Sequence, residues 1–460
     1  MEPVTLGQAA AAVGGLLLGE PRVLALRVTT DSRDVRRGDL FVCLRGERHD
    51  GHAFAAAALR AGAAAVVTER ELAGARPQLV VGSCMLALAA LAGHVRRALL
   101  GPGGPLVAGI TGSNGKTTTK DLVAAVLAPL GPVVASEKSF NNALGVPLTL
   151  LRLSRATRAA VVELGSNAPG EIAALAALVR PQVGVITNVQ PAHLAGFGSV
   201  AGVRREKGAL LAALDGPRIA LLNRDDPAFA ALAASAPGPV LGFGCSPQAD
   251  VRATRIECRT DGTRFRLDGR RPVSLQLLGR HAVSNALAAL GVARAAGVDE
   301  DAAIDALARV ASPPGRLAVR RLRDLTVVDD TYNANPGSFA AALAALSEAR
   351  LPGRLVVVAG EMLELGGASA ALHAQAGRHV ADAHAALLVA VGARAADVVA
   401  GARAGGLPGA ACLACDTQAQ AEDCLREALR PGDVVLFKGS RGARIEALIA
   451  RLVERFGNAA

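Results

Sequence analysis

Residues 109–120 read Gly-Ile-Thr-Gly-Ser-Asn-Gly-Lys-Thr-Thr-Thr-Lys, and the interpretation of the whole chain starts from them. An apolar run from Leu106 to Ile110 precedes the loop. Apolar residues then recur at helical spacing, at Leu122, Val123, Val126, Leu127 and Leu130. The pattern predicts a strand, a glycine-rich loop and a helix whose first backbone N–H groups point at an anion. We expect that anion to be the phosphate chain of a nucleotide triphosphate.

The loop has the residue types that bind a triphosphate and its metal. Glycine lets the backbone approach the phosphates, a lysine reaches the β- and γ-phosphates, and the hydroxyl after it ligates Mg²⁺. Lys116 and Thr117 fit these two roles, and the other nucleotide contacts are expected from Gly112, Asn114, Gly115 and Thr118. The spacing is a variant, because the first glycine stands at position 109 and not at 110. The alternative is an ordinary glycine turn in a doubly wound sheet.

Lysine usage favours the phosphate loop. The chain has 50 Lys and Arg residues together, yet lysine occurs only at positions 116, 120, 138, 207 and 438. Arginine therefore fills most generic basic positions, and each remaining lysine is a candidate for a chemical role.

Composition indicates a globular protein with several domains. The chain has 460 residues, of which 20% are charged and 51% hydrophobic. No basic region precedes the apolar residues near the N-terminus, so no signal peptide is expected. The longest uncharged run, Pro77 to Gly93, is short for a membrane span and predicts a buried strand followed by a core helix. We therefore expect a cytoplasmic protein.

Charge and cysteine content exclude some function classes. The net charge of +10 is accompanied by only 2% aromatic residues and by no block of five basic residues, so no nucleic-acid partner is expected. An anionic small-molecule substrate explains the charge equally well. The single Cys-x-x-Cys pair, Cys412 and Cys415, lacks a second pair and a nearby histidine, so neither a zinc nor a redox site is expected.

Two breaks rich in glycine and proline, at 101–105 and 312–315, divide the chain into three predicted α/β domains. These are a small N-terminal substrate domain (1–100), a central phosphate-loop ATPase domain with a doubly wound parallel sheet (101–313) and a Rossmann-like C-terminal domain (314–460). The C-terminal part has apolar strands at 325–330, 355–359, 386–391 and 434–437, and three of them end in polar clusters. Because ligands bind beyond the carboxyl ends of parallel strands, a second ligand-facing edge is expected there.

Two residues of the central part are candidate ligands for Mg²⁺. Glu163 ends the apolar run 159–164, and His193 follows the run 183–189, so both belong at the carboxyl edge of a parallel sheet. With Thr117 they can hold Mg²⁺, for which a carboxylate is the usual donor and histidine a less usual one. Taken alone, either residue is more often structural, and the phosphate loop favours the metal-binding interpretation.

Two other positions have open interpretations from the residues alone. Lys207 stands in the charged run 204–208, which favours a solvated surface lysine. His281 and Asn285 are spaced to share one helix face, where both can meet an adenine edge. The alternative for this pair is a capped helix start.

Several segments resemble the Mur ligases of peptidoglycan precursor synthesis, ATP-dependent enzymes that join amino acids to UDP-N-acetylmuramoyl carriers. The resemblance covers almost the whole chain and includes the phosphate loop, the helix with His281 and Asn285, and Pro314-Gly-Arg316. Segments 141–147, 330–336 and 437–441 resemble the member that adds D-alanyl-D-alanine. Segments 30–33, 38–41 and 50–52 resemble the uridine-binding domain of that member and of the member that adds the third residue. The Asp-Asn-Pro-Arg signature of the latter is absent.

The resemblance implies roles for individual residues. Glu163 and His193 would ligate magnesium, Lys207 would be carbamylated, and Arg316 and Asp330 would bind ATP. Lys116, Lys207, His193 and Glu163 would form the catalytic set. Substrate contacts are expected from Ser32, Asn141, Asn142, Ser166, Asn188, Tyr332, Asn333, Asn335, Lys438 and Arg441.

The implied reaction joins D-alanyl-D-alanine to UDP-N-acetylmuramoyl-tripeptide through an acyl phosphate, in a protein expected to act as a monomer. Because an acyl phosphate hydrolyses in open water, the third domain is expected to close over the second. A sister Mur ligase that adds a different amino acid is the main alternative. A nucleotide-switch or motor ATPase and a UDP-sugar-binding module explain fewer of the motifs. The sequence leaves open whether the tripeptide ends in lysine or diaminopimelate.

Overall fold

The computed structural model describes residues 1–47, 49–101 and 103–457, so Pro102 of the first predicted break lies outside the described residues. Its strands form a two-stranded ribbon and three larger sheets, each larger sheet built from one consecutive part of the chain. Helices cover the sheets, which confirms the predicted three-domain α/β architecture.

The N-terminal sheet has the order β2-β7-β6-β5-β4, and only the β2–β7 pair is antiparallel. A separate ribbon pairs β1 with β3. The elements are β1 (Val4–Thr5), α1 (Leu6–Val13), β2 (Leu16–Leu18), β3 (Leu24–Ala25), β4 (Arg27–Thr29), β5 (Asp39–Val42), α2 (Ala55–Arg60), β6 (Ala65–Thr68), β7 (Gln78–Val80) and α3 (Cys84–Ala98). Strand β7 and helix α3 confirm the strand and core helix predicted for 77–93.

The central sheet places β8, the strand before the phosphate loop, between β10 and β11 in the order β16-β15-β14-β13-β12-β11-β8-β10-β9. The elements are β8 (Leu106–Thr111), α4 (Lys116–Leu127), β9 (Val133–Ala135), α5 (Gly145–Leu150), β10 (Ala159–Glu163), α6 (Glu171–Val179), β11 (Val183–Ile186), α7 (Leu194–Phe197), α8 (Val200–Ala212), β12 (Ile219–Asn223), α9 (Phe229–Ala234), β13 (Val240–Gly244), β14 (Val251–Arg259), β15 (Gly262–Leu267), β16 (Arg271–Leu275), α10 (Arg280–Ala295) and α11 (Glu300–Ala308). The loop after β8 therefore opens at a point where successive strands diverge, the usual position of a ligand crevice.

One part of the central sheet differs from the expected run of parallel βα units. Strands β14, β15 and β16 form an antiparallel meander at one edge. Its inward side chains alternate with exposed arginines, as in Phe265 and Leu267 beside Arg264 and Arg266. This period of two is the signal for a half-buried antiparallel sheet.

The C-terminal sheet has the order β17-β18-β22-β19-β20-β21, and only the β17–β18 pair is antiparallel. The elements are β17 (Ala318–Arg321), β18 (Thr326–Asp330), α12 (Pro336–Ala349), β19 (Leu355–Gly360), α13 (Ser369–Asp382), β20 (Leu387–Val391), α14 (Ala395–Ala404), β21 (Cys412–Cys415), α15 (Gln418–Ala428), β22 (Val434–Lys438) and α16 (Glu446–Phe456). Short 3₁₀ turns span Gly51–Phe54, Ala128–Leu130, Gly366–Ala368, Gly409–Ala411 and Arg441–Ala443. The four predicted apolar strands correspond to β18, β19, β20 and β22.

The N-terminal sheet shares a hydrophobic core with one face of the central sheet. Leu88 and Val95 of α3 belong to the same buried cluster as Ile172 and Leu175 of α6. Arg96, which is 1% exposed, adds two hydrogen bonds across this contact, from Nε to Val179 O at 2.8 Å and from Nη2 to Arg180 O at 2.9 Å. The two parts therefore pack as one body around α3. None of the described helices has the length and apolar character that a membrane crossing requires.

Candidate active site

The phosphate loop leads directly into the N-terminus of α4. Gly115 caps the helix in the left-handed conformation, with φ of 80°, and a Cβ at this position would lie 2.5 Å from Asn285 Oδ1. The positive φ favours glycine strongly, and the short contact means that Asn285 would have to move for any larger residue. The ammonium group of Lys116 folds back to Gly112 O at 2.8 Å and to Ser113 O at 3.3 Å. Burial lowers the pKa of Lys116, and the positive charge of Arg316 adds to this effect while Glu163 opposes it.

Oxygen donors suited to Mg²⁺ meet at the start of α4. Thr117 Oγ1 lies 2.8 Å from Glu163 Oε2, and Ser139 Oγ lies 3.2 Å from the same hydroxyl. Asn141 donates from Nδ2 to the other carboxylate oxygen of Glu163 at 2.7 Å. Glu163 is 1% exposed and accepts hydrogen bonds from two neutral side chains, and carboxylate oxygens are the usual ligands of a hard divalent cation. Thr117 and Glu163 therefore fit a magnesium site completed by phosphate oxygens and water.

His193 lies at the same cavity, at the start of α7. The residue has a φ of 50°, in the left-handed region, and its Nδ1 contacts Glu364 Oε2 from the loop after β19. Burial lowers the pKa of His193 although Glu364 acts in the opposite direction. A neutral imidazole is the form that ligates a metal. Within the described residues, no three His, Cys, Asp or Glu side chains form a metal site on their own, so phosphate oxygens would have to complete one.

Lys207 is buried, which overturns the surface interpretation that its charged neighbours favoured. It is 1% exposed, and its Nζ donates to Ser166 Oγ at 2.7 Å and lies 5.5 Å from the centre of the Phe197 ring. Burial, reinforced by the charge of Lys116, lowers the pKa of Lys207 to about 7, although Glu206 and Glu171 act in the opposite direction. A large part of this amine is therefore unprotonated near neutral pH.

Residues of the C-terminal sheet face the phosphate loop across the cavity. Arg316 Nη2 donates to Thr117 Oγ1 at 2.8 Å. Tyr332 lies between two arginines, with the guanidinium carbons of Arg316 and Arg441 at 4.2 and 5.6 Å from the ring centre. The interactions are cation–π contacts that hold these charges at the cavity. The C-terminal part is thus closed over the loop.

Two further contacts stabilise the C-terminal side of the cavity. Lys438 Nζ lies 2.5 Å from Asp330 Oδ2, and both residues are buried at adjacent strand ends. Asn335 Nδ2 donates to Asn114 Oδ1 at 2.7 Å, and Asn114 Nδ2 returns a bond to Asn335 Oδ1 at 3.3 Å. The side chain of Asn335 also caps α12 by accepting from Ser338 N. Asn114, which was predicted to bind nucleotide, and Asn335, which was predicted to bind substrate, are therefore hydrogen-bonded to each other.

His281 and Asn285 share one face of α10 beside the loop, as their spacing predicted. Burial lowers the pKa of His281, which favours the neutral form of its ring. The helix begins after Gly279, whose φ is 88° and whose lack of a side chain excludes a side-chain cap at this position. The pair therefore lies at a helix start, as the alternative expected, and the adenine contact stays a prediction.

A cavity of about 1160 Å³ between the central and C-terminal parts brings most of the predicted site together. Of the predicted residues, its lining includes Asn114, Gly115, Lys116, Thr117, Thr118, Asn141, Asn142, Glu163, Ser166, Asn188, His193, His281, Asn285, Arg316, Asp330, Tyr332, Asn333, Asn335, Lys438 and Arg441. Ser32 lies in the turn after β4 and is not part of this lining. Gly112 and Lys207 are not part of the lining, but each contacts a lining residue: Gly112 contacts Lys116, and Lys207 contacts Ser166.

Sequence reasoning missed several residues at the cavity. Glu364 and Ser139 contact His193 and Thr117, and Gln190 accepts from Asn114 Nδ2 at 2.7 Å. Asp225 and Asp226 follow β12 and also line the cavity. Asp225, Asp226 and Gln190 each follow an apolar strand. The same pattern identified Glu163, so it could have identified these three residues as well. Ser139 and Glu364 lie within longer loops and carry no such signal.

Comparison with known proteins gives three matching family models. They are described as the Mur ligase family catalytic domain (residues 27–92), the Mur ligase middle domain (110–293) and the Mur ligase glutamate ligase domain (315–441). Together they span most of the described chain.

Individual relatives agree with these models. The UDP-N-acetylmuramoyl-tripeptide--D-alanyl-D-alanine ligase of Escherichia coli is 40% identical, over 82% of this chain and 83% of its own length. A crystal structure of MurF from Acinetobacter baumannii is 33% identical with a TM-score of 0.90, covering 99% of each chain. MurF from Thermotoga maritima in complex with ADP is 30% identical with a TM-score of 0.81, over 94% of this chain and 98% of that one. The chain therefore belongs to the Mur ligase family.

Proposed function

We propose that the chain joins D-alanyl-D-alanine to UDP-N-acetylmuramoyl-tripeptide at the expense of ATP, in the synthesis of peptidoglycan precursors. The observation that carries this proposal is the closed cavity in which the phosphate loop faces Tyr332, Asn333 and Lys438. These residues belong to the segments that resemble the D-alanyl-D-alanine-adding ligase. The names of the E. coli and A. baumannii relatives support the same assignment.

The first chemical step is transfer of the γ-phosphoryl group of ATP to the terminal carboxylate of the tripeptide. A carboxylate oxygen bonds to phosphorus, the bond to the β-phosphate oxygen breaks, and ADP leaves. The backbone N–H groups at the start of α4 and the ammonium of Lys116 stabilise the charge on the phosphoryl oxygens. Arg316 and Arg441, held against Tyr332, add positive charge from the facing wall.

The second step forms the amide bond. The free amine of D-alanyl-D-alanine attacks the acyl phosphate carbon, loses a proton, and expels phosphate from a tetrahedral intermediate. Asn141 and Asn142 of the central part and Asn333 of the C-terminal part line the same cavity and supply neutral hydrogen-bonding groups for the peptide ends. Closure of the C-terminal part, held by the Asn114–Asn335 pair, keeps water from the acyl phosphate.

We propose Thr117, Glu163 and His193 as the residues that hold Mg²⁺ together with phosphate oxygens. The ion neutralises charge on the transferred phosphoryl group when it is bound. Glu163 supplies the anionic oxygen, and Asn141 fixes the orientation of its carboxylate through a bond of 2.7 Å.

We further propose that Lys207 is carbamylated. Its neutral amine adds to CO₂ and releases a proton, which converts a cation into an anion with two oxygen acceptors. The pKa of about 7 supports this reaction, because it makes the amine nucleophilic near neutral pH. Ser166 Oγ, 2.7 Å from Nζ, is placed to bond to the new group.

We assign the chain to three functional units, residues 1–100 for the UDP end of the substrate, 101–313 for ATP and 314–460 for closure and ligation. Ser32 is the proposed contact with the UDP end. We also propose a cytoplasmic monomer, because ATP and UDP-linked precursors are cytoplasmic and one chain lines the whole cavity.

The test of the proposed function is the substrate requirement for ADP release. ADP should form only when the UDP-linked tripeptide is present, and full turnover should also need D-alanyl-D-alanine. If a single amino acid replaced the dipeptide at equal rate, the chain would be a sister ligase instead.

A further inference from the structure

Lys120 is a buried lysine that the proposed mechanism does not use. It lies one turn beyond Lys116 in α4, and its side chain is 4% exposed. Its Nζ donates to Ser136 O at 2.9 Å and to Lys138 O at 3.1 Å, and lies 2.7 Å from Asp121 Oδ1. The three donors of the ammonium group therefore have three acceptors, two of them in one short loop.

That loop, residues 136–142, connects β9 to the residues before α5 and carries side chains into the active site. Ser139 Oγ lies 3.2 Å from Thr117 Oγ1, and Asn141 Nδ2 donates to Glu163 Oε1 at 2.7 Å. Lys138 has a φ of 49°, a left-handed conformation that a lysine adopts only when its surroundings hold it there. The loop thus touches both Thr117 and Glu163. Its ends are held by hydrogen bonds from Ser136 N to Val161 O at 3.0 Å and from Gly165 N to Asn141 O at 2.8 Å, and Lys120 bonds to the carbonyl of Lys138 between them.

We propose that Lys120 is a positioning residue that fixes loop 136–142 against Thr117 and Glu163. Bonds from a charged donor to a carbonyl are stronger than neutral ones, and two of them on carbonyls two residues apart restrain both the position and the direction of the loop. Helix α4 therefore positions two parts of the site. Lys116, at its first turn, faces the phosphates. Lys120, at its second turn, orients loop 136–142, which in turn orients Glu163. The inference rests on the proposed function of this site.

Two substitutions test the anchor at different strengths. Lys120→Met removes every donor and keeps an unbranched stem, whereas Lys120→Gln keeps the two N–H donors of an amide on a shorter stem without the charge. We expect kcat to fall by about tenfold to a hundredfold for Met and by less for Gln, because misplacement of a supporting group by about 1 Å has effects of this size. The Mg²⁺ concentration for half-maximal rate should rise, and Lys120→Arg should restore most of the activity. If Lys120→Met does not fold, the Gln and Arg variants decide the question.

A matched control is available on the outer side of the same segment. Arg152 is 46% exposed; its Nη1 donates to Ala135 O at 3.0 Å and lies 3.1 Å from Glu137 Oε1, so it contacts the same loop from the surface, where an ion pair contributes little. Arg152→Met should leave kcat and the Mg²⁺ requirement unchanged. A purely structural role for Lys120 would lower the unfolding midpoint of the Lys120 variants and leave the kcat of the folded enzyme within about twofold of wild type, and that result would overturn the proposal.

A double-mutant cycle with Asn141→Ala separates the mechanism from a general loss of activity. If Lys120 acts through the loop, Lys120→Gln should cause little further loss of kcat in the Asn141→Ala background. Additive effects would contradict action through Asn141. If the wild type releases no ADP with both proposed substrates, the proposed function fails separately. The positioning role is then judged by Mg²⁺-dependent binding of a fluorescent ATP analogue, which Lys120→Gln should weaken and Arg152→Met should not.

Discussion

Lys207 gives the most specific prediction about the chemistry of the site. With a pKa of about 7, the amine is ~90% unprotonated at pH 8, whereas a lysine with the ordinary pKa of 10.5 is under ~1% unprotonated. Burial therefore increases the population that reacts with CO₂ by roughly 300-fold. Lowering the pH from 8 to 6 protonates the amine and should reduce that population roughly tenfold. Carbamate content and activity should both rise with pH through 7.

The assay combines a direct and a functional measurement. Wild-type protein equilibrated with ¹³C-bicarbonate should show a carbamate carbon resonance at pH 8 that weakens at pH 6 and is absent from Lys207→Ala. That variant should lose activity by about a hundredfold or more, because an anionic group is missing beside the reacting phosphate. Short-chain carboxylic acids should restore part of the activity by occupying the vacated anionic position. Lys207→Arg keeps a cation of similar length, cannot form a carbamate and should not respond to carboxylic acids.

Two outcomes would refute this reasoning. One is a wild-type protein without the resonance at pH 8, and the other is a Lys207→Ala variant with activity within a few-fold of wild type. Either outcome would contradict carbamylation of Lys207. The ligase assignment would stand, because it rests on the phosphate loop, on the C-terminal residues that face it and on the related proteins.

Three other substitutions test separate parts of the account. Lys116→Ala should lower kcat by about 10² to 10³ while the affinity for the UDP-linked substrate, measured by calorimetry, stays within a few-fold; a collapse of that affinity would contradict the separation of roles. Arg96→Met should lower the free energy of unfolding in urea by about 1–3 kcal/mol, because it removes two hydrogen bonds, to Val179 O and Arg180 O. The control Arg97→Met, on the exposed face of α3, should have little effect. Asn335→Asp keeps the cap of α12 and loses the N–H donor to Asn114. It should therefore lower kcat without lowering the unfolding midpoint. An unchanged kcat would show that the amide pair does not hold the C-terminal part closed over the phosphate loop.

The sequence predicted the strands of the parallel sheets well. Continuous apolar runs such as Leu355–Ala359 and Ile219–Asn223 match β19 and β12 to within a residue, because strands buried on both faces consist mostly of apolar side chains. The same logic placed Glu163 and Asp330 at strand ends. The meander β14–β16 was missed although its alternating pattern was present in the sequence.

Contacts between distant parts of the chain could not be predicted in this way. The charged neighbours of Lys207 indicated a surface position, but helix α8 turns Lys207 and Glu206 into the interior while Arg204 and Arg205 remain less buried. Pairs such as His193 with Glu364, or Arg96 with Val179 O, depend on how separate elements pack. No local pattern encodes them, since periodicity reports only which face of an element is buried.

Isotope transfer from the acceptor carboxylate to phosphate is a direct test of the acyl phosphate intermediate. With ¹⁸O in both oxygens of the terminal carboxylate of the UDP-linked tripeptide, the account predicts ADP, a product heavier by D-alanyl-D-alanine less water, and one ¹⁸O in the released phosphate. That oxygen moves because the carboxylate, and not water, receives the γ-phosphoryl group. Unlabelled phosphate, or AMP with pyrophosphate in place of ADP, would contradict the acyl phosphate mechanism.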